Sequence, residues 1–324
     1  MIKLIYLLTT TIFIYSGCSS KQYFEPEITK NSNIEVKNIN SNIVDYNSVG
    51  ATLEDRRYIS KEGISNEKLK VGFFFVNKSD GKVLSVNDEA ILNIDNNPIK
   101  FDKNIVSATI DKNILALVFI DNSIVIYDTE INKIIFKEYM KKSLINDVKL
   151  TNPIILKTIV LFPTLDGKVT IVDIDKKTIS RTINIDPNSD INNIIFLEAI
   201  GETLIAATPN KIFSFINGRT KVETLSIKNV VIKDENIYLS TLDGEIIKFD
   251  QELKRLNSKK FKFAKFHTIG FGASLYALES EKFLIKLDEN LEKDEVYDFY
   301  FDEDEKVISI DDKIYFEDKY IILK

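Results

Sequence analysis

The stretch TLDGKVTIVD at residues 164–173 returns at 241–250 as TLDGEIIKFD, with half of its positions unchanged. A phrase written twice in one chain implies a repeated structural unit, and this phrase specifies its own geometry. Leu-Asp-Gly stands between two apolar runs, IVLFPT before the first copy and KVTIV after it. Asp-Gly supplies the positive φ angles that tight hairpin turns demand. The closing residues Asp173 and Asp250 each begin another turn, so each copy predicts strand, turn, strand, turn.

Weaker copies extend the pattern along the chain. A turn residue is followed six places later by Asp or Asn at Gly81 (Asn87), Asn122 (Asp128), Gly167 (Asp173), Gly244 (Asp250), Lys282 (Asp288) and Asp312 (Asp318). Asn210 follows the same rule one place late, at Asn217. An apolar strand precedes every anchor, as in ILALVFI and SLYAL. A period of about 40 residues with about four short strands per unit is the signature of a β-propeller. Several strands are apolar at consecutive positions, as expected where neighbours cover both faces. A pair of β-sandwiches would leave the period unexplained. Seven anchors therefore predict an all-β, seven-bladed propeller over residues 34–324. The strand-like stretch 42–53 and the C-terminal YIILK are expected to meet in one shared blade. An eighth, degenerate blade within 34–66 is the alternative. Gly81, Gly167 and Gly244 are expected to be structural turn residues.

The opening residues, MIKLIYLLTTTIFIYSGCSS, have a different character. Lys3 gives a positive n-region, Leu4–Tyr15 an apolar core, and Ser16-Gly17 small residues ahead of Cys18. This pattern is a secretory signal, too short for a convincing spanning helix. IYSGC resembles a bacterial lipobox, with Tyr15 where Leu is usual, and Cys18 is the only Cys in the chain. Residues 1–17 then form a signal peptide, Cys18 is the lipidation site, and the polar stretch 18–33 is a tether. Ser19 rather than Asp, by resemblance to Gram-negative lipoproteins, favours delivery to the outer membrane.

The repeat text IYLSTLDGEIIKFDQELKRL is similar to that of quinoprotein-type (PQQ-like) propellers. The same repeat builds the BamB-type propeller lipoproteins of the outer-membrane barrel assembly machinery. The resemblance covers most of residues 68–324. It implies a membrane-anchored periplasmic propeller whose partners are outer-membrane or periplasmic proteins. One departure is clear. Quinoprotein repeats carry a Trp in the last strand that docks onto the next blade, and this chain has no Trp. Phe136, Arg181 and Leu256 fall near such places.

Catalytic constellations are scarce. His267, the only His, would have to serve any Ser–His–Asp site; as a surface or loop residue near a blade edge it has no such role. No G-x-S-x-G, Walker A loop or paired-His zinc motif occurs. The acidic run FDEDE (301–305) lacks the Gly of a calcium loop and reads as a solvated turn. The run FKFAKF (261–266) fits a membrane-facing or glycan-stacking strip, or equally a blade strand with one apolar face. A formal net charge of −6 offers no basic field for nucleic acid. The expectation is a monomeric, non-catalytic scaffold without cofactor or metal that binds other proteins. The alternatives are a small-ligand binder or enzyme at the channel mouth, and a surface-exposed adhesin that binds host factors.

Overall fold

The computed structural model describes residues 22–31, 34–142, 150–189, 192–302 and 304–324, and among them there is no helix. Eight antiparallel sheets of four strands each follow one another along the chain. They form blade 1 (43–64), blade 2 (74–100), blade 3 (105–139), blade 4 (154–184), blade 5 (196–224), blade 6 (227–260), blade 7 (266–298) and blade 8 (307–322 with 36–38). The propeller therefore has eight blades, as in the alternative reading. The seven anchors mark blades 2–8, one each. Blade 1 has none. Its strands are two to four residues long, and Arg56, rather than Gly or Asn, takes the left-handed turn conformation there, at φ 73°.

The termini do share a blade, but through other residues than expected. Val36–Asn38 pairs antiparallel with Lys319–Ile322 and closes blade 8. The stretch 42–53 instead supplies the first two strands of blade 1. Lys30–Asn31 adds a fifth strand outside blade 7, parallel to Asp294–Asp298. The part of the supposed tether that is described is therefore seated on the propeller.

Burial follows the blade pattern. In the second strand of blade 3, Leu115, Ala116, Leu117 and Val118 are all fully buried, because blades 2 and 4 cover its two faces. Apolar clusters join successive blades around the ring, including blade 8 to blade 1 through Ile308, Ile310 and Tyr315 against Ile43 and Leu53. The joint between blades 1 and 2 is the smallest, with Tyr58 stacked on Phe75 at 5.2 Å. The docking role of the missing Trp is divided. Phe136 is buried in the cluster shared with blade 4. The Arg181 guanidinium lies 5.2 Å from the Phe215 ring of blade 5. Leu256 is exposed.

Candidate functional site

A propeller offers a central channel and two loop faces. The first strands of the blades line the channel. In blades 1–4, polar side chains on or beside these strands are tied from blade to blade. Asn47 Nδ2 donates to the Phe75 and Val76 carbonyls at 3.0 Å each. Asn77 Nδ2 donates to the Ala108 carbonyl at 3.0 Å and to Thr109 Oγ1 at 3.1 Å. Thr109 Oγ1 donates to the Pro153 carbonyl at 2.7 Å. Ser107 Oγ donates to the Thr151 carbonyl at 2.9 Å and to Asn152 Oδ1 at 3.0 Å. A cavity of about 390 Å³ opens beside these groups, lined also by Asp80 and Asp111. Most of its polar side chains are thus committed to joining blades 1–4, rather than converging on a ligand. On the first strands of blades 1 and 5, loss of water around Asp45 and Glu198 raises both carboxyls above the ordinary range.

His267 lies in the first strand of blade 7, not in a loop, at a register shift beside Phe266. Its ring meets Phe301 edge-on at 5.3 Å. Among the described residues no group of His, Cys, Asp and Glu is arranged to hold a metal. Cys18 and residues 1–17, expected from the sequence to be a signal peptide, lie outside the described residues.

Antiparallel pairing fixes which loops share a face. The second-to-third-strand turns and the connections to the next blade emerge at one end of every blade, which we term the turn face. The repeated phrase lies there. Gly167 and Gly244 adopt φ of +73° and +84°. Their preceding Asp residues stay out of the left-handed region, so only the glycine carries positive φ. Of the three Asp-Gly pairs, only Asp80-Gly81 (φ 50° and 70°) takes it at both residues, and that hairpin joins the first two strands of blade 2 on the opposite face. At the phrase copies the Thr closes the turn: Thr164 Oγ1 accepts from Lys168 N at 3.0 Å, and Thr241 Oγ1 from Glu245 N at 2.9 Å.

The next connection then passes over each glycine. The Gly167 carbonyl accepts from Ile185 N at 2.9 Å, and the Gly244 carbonyl from Phe261 N at 2.8 Å. The anchor of blade 3 clips the phrase of blade 4, because Asn122 accepts from Leu165 N at 2.8 Å and donates to Asp166 at 3.0 Å. Beneath the connection to blade 5, the buried Asp186 pairs with Lys211 at 3.1 Å. In blade 7, Glu279 accepts from Lys265 N and Glu281 N at 3.0 and 2.7 Å. Burial raises its carboxyl above the ordinary range, against those hydrogen bonds. The run 261–266 is mostly the connection from blade 6 to blade 7, not a blade strand: Phe261 and Ala264 are buried, while Lys262, Phe263 and Lys265 face solvent.

The turn face is thus a cross-tied frame with apolar side chains left outside it. They fall into two groups: Val71, Ile120 and Tyr139 on blades 1–3, and Leu242, Phe263 and Tyr300 on blades 6–8. Sequence reasoning placed the turns but found none of these tips except Phe263.

Comparison with protein-family profiles gave no match. Two curated proteins from two strains of Helicobacter pylori, each named plasminogen-binding protein PgbB, are 28% identical over 337 aligned positions, covering 88% of this chain. The chain spans only 62% of their length. Among solved structures, BamB from Moraxella catarrhalis superposes with a TM-score of 0.67, at 13% identity, over 90% of this chain and 98% of that one. The C-terminal WD40 domain of Sif2 gives 0.64 at 14% identity, over 92% and 99%. The chain has the eight-bladed β-propeller fold, similar in fold to BamB.

Proposed function

We propose that this protein is a non-catalytic propeller, held by a lipid on Cys18 at the outer membrane of a Gram-negative bacterium, that binds other proteins through its turn face. The observation that carries the reading is the division of labour among side chains. Between blades 1 and 4 most channel polar groups are occupied in blade-to-blade ties, while apolar tips stand out from a rigid frame. Rigid scaffolds that display loop residues bind at low ordering cost.

Two partner classes are supported by different observations. Sequence relatedness over most of the chain to proteins named plasminogen-binding favours a host protein met at the cell surface. Likeness of fold to BamB favours periplasmic partners in barrel assembly.

The test uses the mature chain. Plasminogen capture, reduced by joint Val71→Ala, Ile120→Ala and Tyr139→Ala but unchanged by His267→Ala, supports the first class. No capture, crosslinking to barrel-assembly proteins and lowered barrel levels on gene deletion support the second. A phenotype lost with His267→Ala alone and untouched by the triple variant overturns the scaffold reading. Cys18→Ala should release the protein from the membrane fraction. Unchanged membrane association, with no acyl chain seen by mass spectrometry, refutes the anchor.

A further inference from the structure

The blade 6–8 group of apolar tips shares one sector of the turn face. Leu242, Phe263 and Tyr300 sit on successive loops that are joined to one another. Asp243 pairs with Lys260, and Gly244 O accepts from Phe261 N. Ser280 N donates to Lys265 O at 2.9 Å, and Phe299 N to Lys282 O at 2.8 Å. Lysines are interleaved with the tips. Lys262 Nζ lies 4.8 Å from the Phe263 ring centroid and Lys282 Nζ 4.5 Å from that of Tyr300. Lys259 and Lys260 are paired with Asp294 and Asp243, whereas Lys262, Lys265 and Lys282 have no ion-pair partner among the described residues. The acidic side chains nearby, Glu281, Asp302, Asp304 and Glu305, are exposed, and the last three bound the patch towards blade 8.

The second observation is where the N-terminal segment docks. Phe24 is buried and meets Phe261 and Phe283 edge-on, at 5.9 and 5.6 Å. Phe261 belongs to the same connection as Phe263. From Cys18 to Phe24 the chain advances six residues, a reach of roughly 20 Å when fully extended. A lipid on Cys18 therefore brings a bilayer surface within that distance of Phe24, which packs on the connection that carries Phe263.

We infer that Leu242, Phe263 and Tyr300, with Lys262, Lys265 and Lys282, form a membrane-docking surface that lays the blade 6–8 edge of the turn face on phospholipid. The inference rests on the anchor reading above. Aromatic rings lodge at headgroup depth, Leu242 reaches the acyl boundary, and the lysines meet lipid phosphates. The lipid supplies attachment and the patch supplies orientation. Val71, Ile120 and Tyr139, across the ring, then tilt away from the bilayer and stay open to a protein partner.

The absence of Trp makes the test clean, since a single introduced Trp is the only indole reporter. Phe263→Trp, Tyr300→Trp and, on the opposite face, Ile131→Trp are prepared as acylated mature proteins. They are placed in vesicles of phosphatidylethanolamine and phosphatidylglycerol with brominated acyl chains. Quenching at 263 and 300 but not at 131 is expected. Equal quenching at all three positions, or none at 263 and 300 in membrane-bound protein, overturns the inference. The unacylated Cys18→Ser chain should still float with the same vesicles without bromine, and each of Lys262→Gln and Lys282→Gln should weaken partitioning about fivefold. Flotation that is absent, or unaffected by these changes in protein whose circular dichroism is native, also overturns it. A missing acyl chain in the native protein sinks the anchor reading while leaving the vesicle result standing, so the two failures are distinguishable.

Discussion

The two copies of the repeated phrase make the same turn and expose opposite things. In blade 4, Leu165 is 2% exposed and belongs to the core; in blade 6, Leu242 at the same place in the phrase is 60% exposed. Asp166 is buried between Asn122 and Lys168, whereas Asp243 lies open beside Lys260. The phrase dictates the hairpin, and the neighbouring connection dictates what the hairpin presents. Over blade 4 that connection is the long 185–195 stretch, whose Ile185 and Ile194 share the cluster of Leu165. Over blade 6 it is the short 261–265 stretch, which packs on the glycine and stops before Leu242. A change in one connection is enough to turn a core residue into an exposed one.

The comparison can be broken most severely at the glycines. A Cβ at Gly244 would meet the Phe261 and Ala264 carbonyls at 2.5 and 2.7 Å; one at Gly167 would meet the Asn192 carbonyl at 2.9 Å; one at Gly81 meets nothing. Left-handed strain costs about 1–2 kcal/mol and overpacking about 1–3 kcal/mol more. Gly244→Val should therefore cost about 3–5 kcal/mol in denaturant unfolding, Gly167→Val somewhat less, and Gly81→Val only the strain. Equal losses at all three would show that the overlying connections do not touch the turns. Next, Leu165→Ala should cost about 2–4 kcal/mol, and Leu242→Ala less than about 0.5 kcal/mol; similar values would erase the distinction between the copies.

Smaller effects sharpen the cause. Leu165 N depends on the Asn122 side chain, whereas Leu242 N donates to the backbone carbonyl of Ser226 at 2.8 Å. Asn122→Ala should cost about 1–3 kcal/mol, while Ser226→Ala leaves stability near that of the parent. Last, hydrogen bonding from Lys260, then from Thr241, holds the Asp243 carboxyl below its ordinary range. A lowered folded value adds stability that is present above the ordinary Asp range and is lost as pH falls through the lowered value. The pair is solvent-screened, so Lys260→Met should remove only a few tenths of a kcal/mol and flatten that acid limb in a pH series of melts. A steeper acid limb in the variant would show that the pairing is not what lowers the carboxyl.

Much of the fold was written locally and much of the site was not. Turn residues announce hairpins because φ is a property of one residue, so the seven anchors find seven blades. Their phase is less legible: Gly81 and Asp312 mark first-to-second-strand turns, while the other five mark second-to-third. Blade 1 was legible only as the alternative, a degenerate blade within 34–66, because its turn uses Arg56 and its strands are too short to show a period. The closing strand Val36–Asn38 and the Phe24 clamp have partners at the far end of the chain, so nothing near them in sequence marks them. The exposed tips were hidden for the reason Leu165 and Leu242 display: identical words, different cover.

The Phe24 clamp also sets a load path. A pull on the N-terminal side reaches Phe24 first, wedged between Phe261 and Phe283, then the short parallel pairing of Lys30–Asn31 with blade 7. Only after both does tension arrive at Val36–Asn38, the strand that seals the ring. The aromatic wedge works as a strain relief on a cable. Tension entering from the N-terminal side is dissipated in the flank of blade 7, and the seam that keeps eight blades in a circle is the last thing to feel it.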